Sequence, residues 1–98
     1  MSAMKESFQR DIAEVEWREL RVHLQRDAII LVSSKLDLIE AAVAVAEDDK
    51  GRVEEWIISE LIGKPDENQL ASWEGELDKR FRMLIVQPFI LVQDLTHA

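Results

Sequence analysis

Phe81-Arg82-Met83-Leu84-Ile85-Val86-Gln87-Pro88-Phe89-Ile90-Leu91-Val92-Gln93 is the stretch that decides the fold of this chain. Its β-branched and aromatic side chains favour extended backbone, and Pro88 divides it because proline has no amide hydrogen to give a ladder. The halves are either separate strands or one strand bent or bulged at an edge, with a strand predicted over Met83 to Val86. A second extended run stands at Ala28 to Val32, apolar throughout and bounded by Asp27 and Ser33-Ser34, as a buried strand is. Ile30-Leu31-Val32 recurs as Ile90-Leu91-Val92, but three residues are too few to make a repeat.

Outward from these strands the pattern is helical. Ser34 stands three residues before Asp37, the capping-box spacing with Asp in place of the usual Glu or Gln, so a helix is predicted over about residues 35–47. Leu36, Ile39, Val43 and Ala46 line one side of it, and Leu38, Ala42 and Val45 the adjoining side. Such a helix packs on two sides and is the candidate centre of the domain. Its alanines favour helix over the rival strand through Val43 and Val45. Glu47-Asp48-Asp49 opposes the negative end of a helix dipole and suits the start of the next helix, so a sharp turn is placed there. That next helix carries Val53, Trp56, Ile57 and Leu61 on one face and is predicted to stop at Gly63-Lys64-Pro65. Asp66 and Gln69 repeat the cap spacing ahead of Leu70, Trp73 and Leu77, another amphipathic helix, weakened by Gly75. Lys5 to Gln25 reads as two short helices with a bend around Val15 to Trp17. Phe8, Ile12 and Val15 share one face, whereas Trp17, Leu20 and Leu24 share a nearly opposite one. The tail after Leu95 is predicted to fray.

Composition narrows the functional classes. The 98 residues suit one domain with one core, and 33% charged residues with three glycines and two prolines argue against a linker-rich chain. The absence of cysteine excludes disulfides, thiolate zinc sites, iron–sulfur clusters and cysteine nucleophiles. The start of the chain lacks the apolar run of a secretory signal, and Ala41 to Ala46 falls far short of the roughly 18 residues that span a bilayer. A cytoplasmic protein without a membrane partner is expected. A formal charge of −8 repels polyanions, so nucleic acid is not an expected partner. The basic groups Arg18, Arg21, Arg26 and Lys79, Arg80, Arg82 read as solvated faces or ion-pair partners.

The candidate metal or acid–base residues are Asp37, Glu40, Glu47, Asp48 and Asp49, because hard divalent cations want several oxygen ligands close together. Asp37 and Glu40 can reach one ion, but Glu40 and Glu47 lie about 10.5 Å apart along a helix, so the five do not form one simple site. The competing reading makes Asp37 a helix cap, Glu40 a solvated residue and the acidic triplet the opening of the next helix. His23 and His97 have no nucleophile at a recognised spacing, and no phosphate loop, GxGxxG, HExxH or EF-hand loop occurs. No cofactor is implied. Trp17, Trp56 and Trp73 each fit an apolar helix face, as core residues or as anchors for a partner. Few strands leave apolar faces and unpaired edges to cover, and a second copy would cover both. Met83, Ile85, Phe89 and Leu91 are the candidate interface of such a homodimer.

Arg26-Asp27-Ala28-Ile29-Ile30-Leu31-Val32, Leu36-Asp37-Leu38-Ile39-Glu40, Ala44-Val45-Ala46-Glu47-Asp48-Asp49 and Ile85 to Gln93 together resemble a family. It is a group of bacterial proteins of about this length, from proteobacteria and cyanobacteria, classed as a domain of unknown function. The resemblance runs from about Trp17 to Gln93. It implies a bacterial cytoplasmic protein and carries no assigned activity or binding residue. The expectation is then one α+β domain over residues 1–98, with two or three short strands packed against four or five helices. Its expected role is a non-enzymatic, homodimeric interaction module. The alternative is a small metal-binding protein or enzyme using the carboxylate turn.

Overall fold

The computed structural model describes residues 3–26 and 28–95. His97 and the tail after Leu95 lie outside them, as does the side chain of Leu24. The hairpin is the spine of the molecule. β4 (Arg80–Val86) and β5 (Phe89–Asp94) pair antiparallel with Val86 opposite Phe89, and Gln87 and cis Pro88 form the turn. Pro88 thus separates two strands and sits where no ladder amide is needed.

β5 is flanked by β2 (Ile29–Val32), which runs parallel to it with Ile30 opposite Leu91. The recurring Ile-Leu-Val triplets are therefore neighbours in space, two apolar runs matched across a parallel pair. β1 (Ala13–Glu16) adds to β4 and β3 (Ile62–Gly63) adds to β2, giving the order β1-β4-β5-β2-β3. The α+β class stands, and the sheet has five strands because these two short edge strands join the three extended runs. β1 lies at the expected bend between the N-terminal helices, α1 (Ala3–Asp11) and α2 (Trp17–Leu20). Four residues of alternating pattern suffice there because Val15 falls opposite Phe81.

The sheet is covered on both faces. One face packs Leu84, Val86, Leu91 and Val32 against α3 (Leu38–Ala46), with Met4, Phe8 and Ile12 of the N-terminal segment and Val53 and Trp56 of α4 (Lys50–Ile58) at its margin. The other packs Phe81, Val92, Ile90 and Ile29 against Trp17 and Leu20 of α2 and Trp73 of α5 (Glu67–Glu74). α3 is the central helix that its pattern predicts: Ala41, Ala42 and Ala44 are fully buried, and Leu38, Ile39 and Val43 nearly so. It begins at Leu38 because the Asp37 side chain accepts from the Ile39 amide at 2.8 Å. Buried Gln93 donates from Nε2 to the carbonyls of Ser33 (3.0 Å) and Leu36 (2.6 Å), pinning the turn before α3 to β5.

The end of α4 corrects the sequence reading, which carried this helix through Leu61 to Gly63. Glu60 takes left-handed backbone (φ 61°), its amide bonds the Ile57 carbonyl and the Leu61 amide bonds the Trp56 carbonyl. That is a Schellman stop three residues before the glycine, and Ile62 and Gly63 become strand. α3 ends in the same way: Asp48 (φ 57°) is left-handed, and the amides of Asp48 and Asp49 bond the carbonyls of Val45 and Ala44. Both helices of the α3–α4 hairpin thus stop on an acid where glycine would be less strained.

Candidate docking cleft at the α4–β3 corner

The edge strand β3 is two residues long and is followed by Pro65, which cannot donate to a ladder. α4 crosses this corner without burying a single residue. Between them a cleft of about 520 Å³ opens on the α3 face, floored by Ile30, Val45, Val53, Ile57, Ile62 and Phe89. Asp48, Asp49 and Glu54 stand on its rim with Lys50 and Lys64. Ile57 continues the apolar surface outward at 51% exposure, and Ile58 beside it is 82% exposed. A second depression, of about 540 Å³, shares Ile57, Ile62, Gly63 and Lys64 and reaches Leu31, Ser33, Glu60, Asp66 and Gln69. Ile30 and Leu31 alternate across β2, so the two depressions lie on opposite faces of the sheet and meet at β3.

Charge is concentrated here. Glu47, Asp48, Asp49, Glu54, Glu55 and Glu60 oppose Lys50 and Arg52 over residues 47–60, six acids against two bases, which is −4 of the chain's −8. Arg52 is further engaged, with its guanidinium 3.0 Å from Glu40 and 4.9 Å over the Trp56 ring.

The five candidate carboxylates do not converge. Asp37 caps α3, and Asp49 caps α4 by accepting from the Arg52 amide at 3.3 Å. Glu40 is held between Lys5 and Arg52, each at 3.0 Å, and these partners keep its carboxyl below the ordinary range. Glu47 and Asp48 are exposed at the turn. Among the described residues no group of three or more His, Asp or Glu comes together as a metal ligand set. Asp48 and Asp49 are on the cleft, which the sequence reading did not anticipate.

The candidate interface residues scatter as well. Leu91 is in the core at 1% exposure, Met83 and Phe89 are half-buried, and Ile85 stands 48% exposed. The hairpin is interior to the sheet, and the free edges belong to β1 and β3. Trp17 and Trp73 are core residues, packed at 5.0 Å between ring centroids. Ile57 and Gly63 were read only as helix face and helix stop, and Ile62 was not singled out; the one available signal was Ile58, an isoleucine off the apolar face of its helix.

Fold and site together define a small α+β domain with a two-sided helix-on-sheet core and an apolar, acid-rimmed cleft at one sheet edge. The chain belongs to the family described as "Protein of unknown function (DUF2288)", whose model matches residues 3–94. It is similar to PA1075 from Pseudomonas aeruginosa, known from an NMR solution structure, with 26% identity and a TM-score of 0.81 over 99% of this chain and 89% of that one. Among curated proteins none matches. No helix among the described residues is long and apolar enough to cross a membrane.

Proposed function

We propose that this protein is a non-enzymatic interaction module that docks another polypeptide at the α4–β3 corner. The observation that carries the reading is the apolar cleft floor running out to Ile57, which is half exposed, with Ile58 the next residue in the chain and more than four-fifths exposed. Isolated surface isoleucines are ordinary, whereas an apolar cleft that runs out to a half-exposed isoleucine and is rimmed by charge has the layout of a docking site, with an apolar centre and a polar rim. A photo-crosslinking side chain in place of Ile58 tests it in cells, with the same replacement at exposed Glu19 as the control. The expected result is one discrete adduct at position 58, whose partner, once purified, binds the wild-type protein and not Ile58→Asp. Equal crosslinking at both positions overturns the reading.

A homodimer is the second reading, and half-exposed Ile85 favours it. Ile85 lies on β4, the strand next to the free four-residue edge β1, and two β1 edges paired about a two-fold axis would join two five-stranded sheets. Molar mass by light scattering over a wide concentration range decides it: a mass twice 11.3 kDa is expected, and 11.3 kDa throughout removes it.

A further inference from the structure

We propose that the docked segment is an extended strand of alternating aliphatic and basic residues, added to the free edge of β3 with its side chains falling alternately into the two depressions. This rests on the α4–β3 corner being a docking surface, and it names the chemistry and geometry of what docks.

Backbone alternation supplies the first argument. The Ser33 amide donates to the Leu61 carbonyl at 2.7 Å, and Leu31 pairs with Gly63 and Val32 with Ile62. In an antiparallel pair, residues bonded to the neighbour alternate with residues that face away. Leu61 and Gly63 therefore face β2, and the amide and carbonyl of Ile62 turn toward the open edge. A Cβ added at Gly63 would meet nothing within 4 Å, so the sheet face over this position is unfilled and leaves room for a side chain of an added strand.

Shape supplies the second. An added strand projects successive side chains to opposite faces, and here each face offers a depression bordered by Ile62 and Gly63. The 520 Å³ cleft, floored by Ile30, Val53 and Phe89, takes an aliphatic side chain. The 540 Å³ depression, with Ser33, Glu60, Asp66 and Gln69 on its wall, takes a basic one.

Charge supplies the third and distinguishes a foreign strand from a second copy. Asp48, Asp49 and Glu54 on one side and Glu60 and Asp66 on the other outnumber Lys50 and Lys64. The other free edge of this chain, β1, reads Ala-Glu-Val-Glu and carries the wrong sign. The basic strand segment Arg80-Phe81-Arg82 is already paired on both sides, by β1 and β5.

The test titrates the ¹⁵N-labelled protein with acetyl-Lys-Val-Lys-Ile-Lys-Val-amide, with its glutamate counterpart, and with the basic peptide N-methylated at alternate backbone positions. Amide shifts and hydrogen exchange are read together. The basic probe is expected to shift Ile62 and Gly63 and to slow exchange of the Ile62 amide. N-methylation, the glutamate probe and the double variant Glu54→Lys/Glu60→Lys are each expected to weaken binding by about tenfold or more. Equal binding of the N-methylated probe, or binding without protection of Ile62, overturns strand addition and leaves the docking surface standing. No binding of the basic probe, while the Ile58 crosslink still captures a partner, overturns the proposed chemistry alone. Loss of both overturns the docking reading as well.

Discussion

The two faces of the sheet are packed by different means. On the α5 face three aromatic rings close on one another, with centroid separations of 5.0 Å for Trp17–Trp73, 5.9 Å for Trp17–Phe81 and 4.9 Å for Trp73–Phe81. The Trp17 indole donates to Glu74 at 2.7 Å, and the same carboxylate receives Arg21. The α2 amides of Trp17 and Arg18 bond the carbonyls of Lys79 and Leu77, so the helix start is sealed onto the loop before β4. On the α3 face the buried surface is alanine, valine, leucine and isoleucine, and α4 lies across its margin with Val53 and Trp56 only partly buried. Large rings close the centre of one side, whereas on the other the aliphatic packing ends where α3 ends, and the apolar cleft opens beside it. The aromatic cluster is therefore expected to be the costlier side to truncate, and the apolar half of the docking corner lies on the other.

The sharpest way to break this comparison is to truncate one residue on each side. Phe81→Ala removes a ring with no solvent exposure and is expected to cost about 3–5 kcal/mol by denaturant unfolding. Val53→Ala at the cleft is expected to cost about 1 kcal/mol, because its site is already open to water. Equal losses would mean that the aromatic cluster is not the principal source of stability. Asp66→Ala comes next. It removes the reciprocal cap in which Asp66 accepts from the Gln69 amide at 2.8 Å and Gln69 accepts from the Asp66 amide at 3.0 Å. A loss of about 1 kcal/mol is expected, on the side where α5 carries Trp73.

Legibility in the sequence follows the same division. The Asp66–Gln69 box, the acidic turn and the strand read at Ala28 to Val32, found at Ile29–Val32, are local signals that the structure carries, whereas the Ser34–Asp37 box is not formed and Asp37 itself caps the helix three residues later. β3 was not legible, because a two-residue edge is made by its neighbour and not by its own pattern. The end of α4 was misread because Gly63-Lys64-Pro65 has the composition of a helix stop, while the actual stop uses Glu60 in left-handed backbone, which no residue preference signals. The cleft inherits this error, since Ile62, Gly63 and Lys64 line it and the whole segment 60–64 lines the neighbouring depression. Glu60→Gly sharpens the point: relief of the left-handed strain, less the added chain entropy, is expected to raise stability by roughly half a kcal/mol in the same unfolding assay.

Acid should act on both faces through their ion pairs. Arg21 first, and then the Trp17 indole, hold the Glu74 carboxyl below its ordinary value of 4.5, and Lys5 and Arg52 do the same for Glu40. Both groups release protons more readily in the folded chain than in the unfolded one. Their stabilisation is therefore complete above about pH 4.5 and is lost as pH falls through the lower folded values. Both pairs are solvent-exposed and screened, so the effect is modest. Unfolding midpoints at pH 7 and pH 3 are expected to converge in Glu74→Gln relative to wild type. Magnesium at either pH is expected to leave the midpoint unchanged, since Glu40 is held by two cations and Asp37 and Asp49 by backbone amides.

The smallest stability change belongs to the residue with the largest functional weight. Ile58 is 82% exposed on a helix with no fully buried residue, so Ile58→Ser removes apolar surface that water already reaches, and unfolding free energy is expected to move by less than about 0.5 kcal/mol. Such neutrality is what a docking residue requires: its apolar area is exposed in the free protein and is withdrawn from water only in the complex. Ile85, 48% exposed, serves as the control, because it lies on β4, separated from β3 by β5 and β2. Ile58→Ser should weaken the Ile58-crosslinked partner and leave molar mass unchanged, whereas Ile85→Ser should leave that partner's affinity unchanged. If Ile58→Ser instead destabilises the fold by several kcal/mol, α4 is part of the core, the two faces are equally closed, and the cleft is a packing defect with no role in binding.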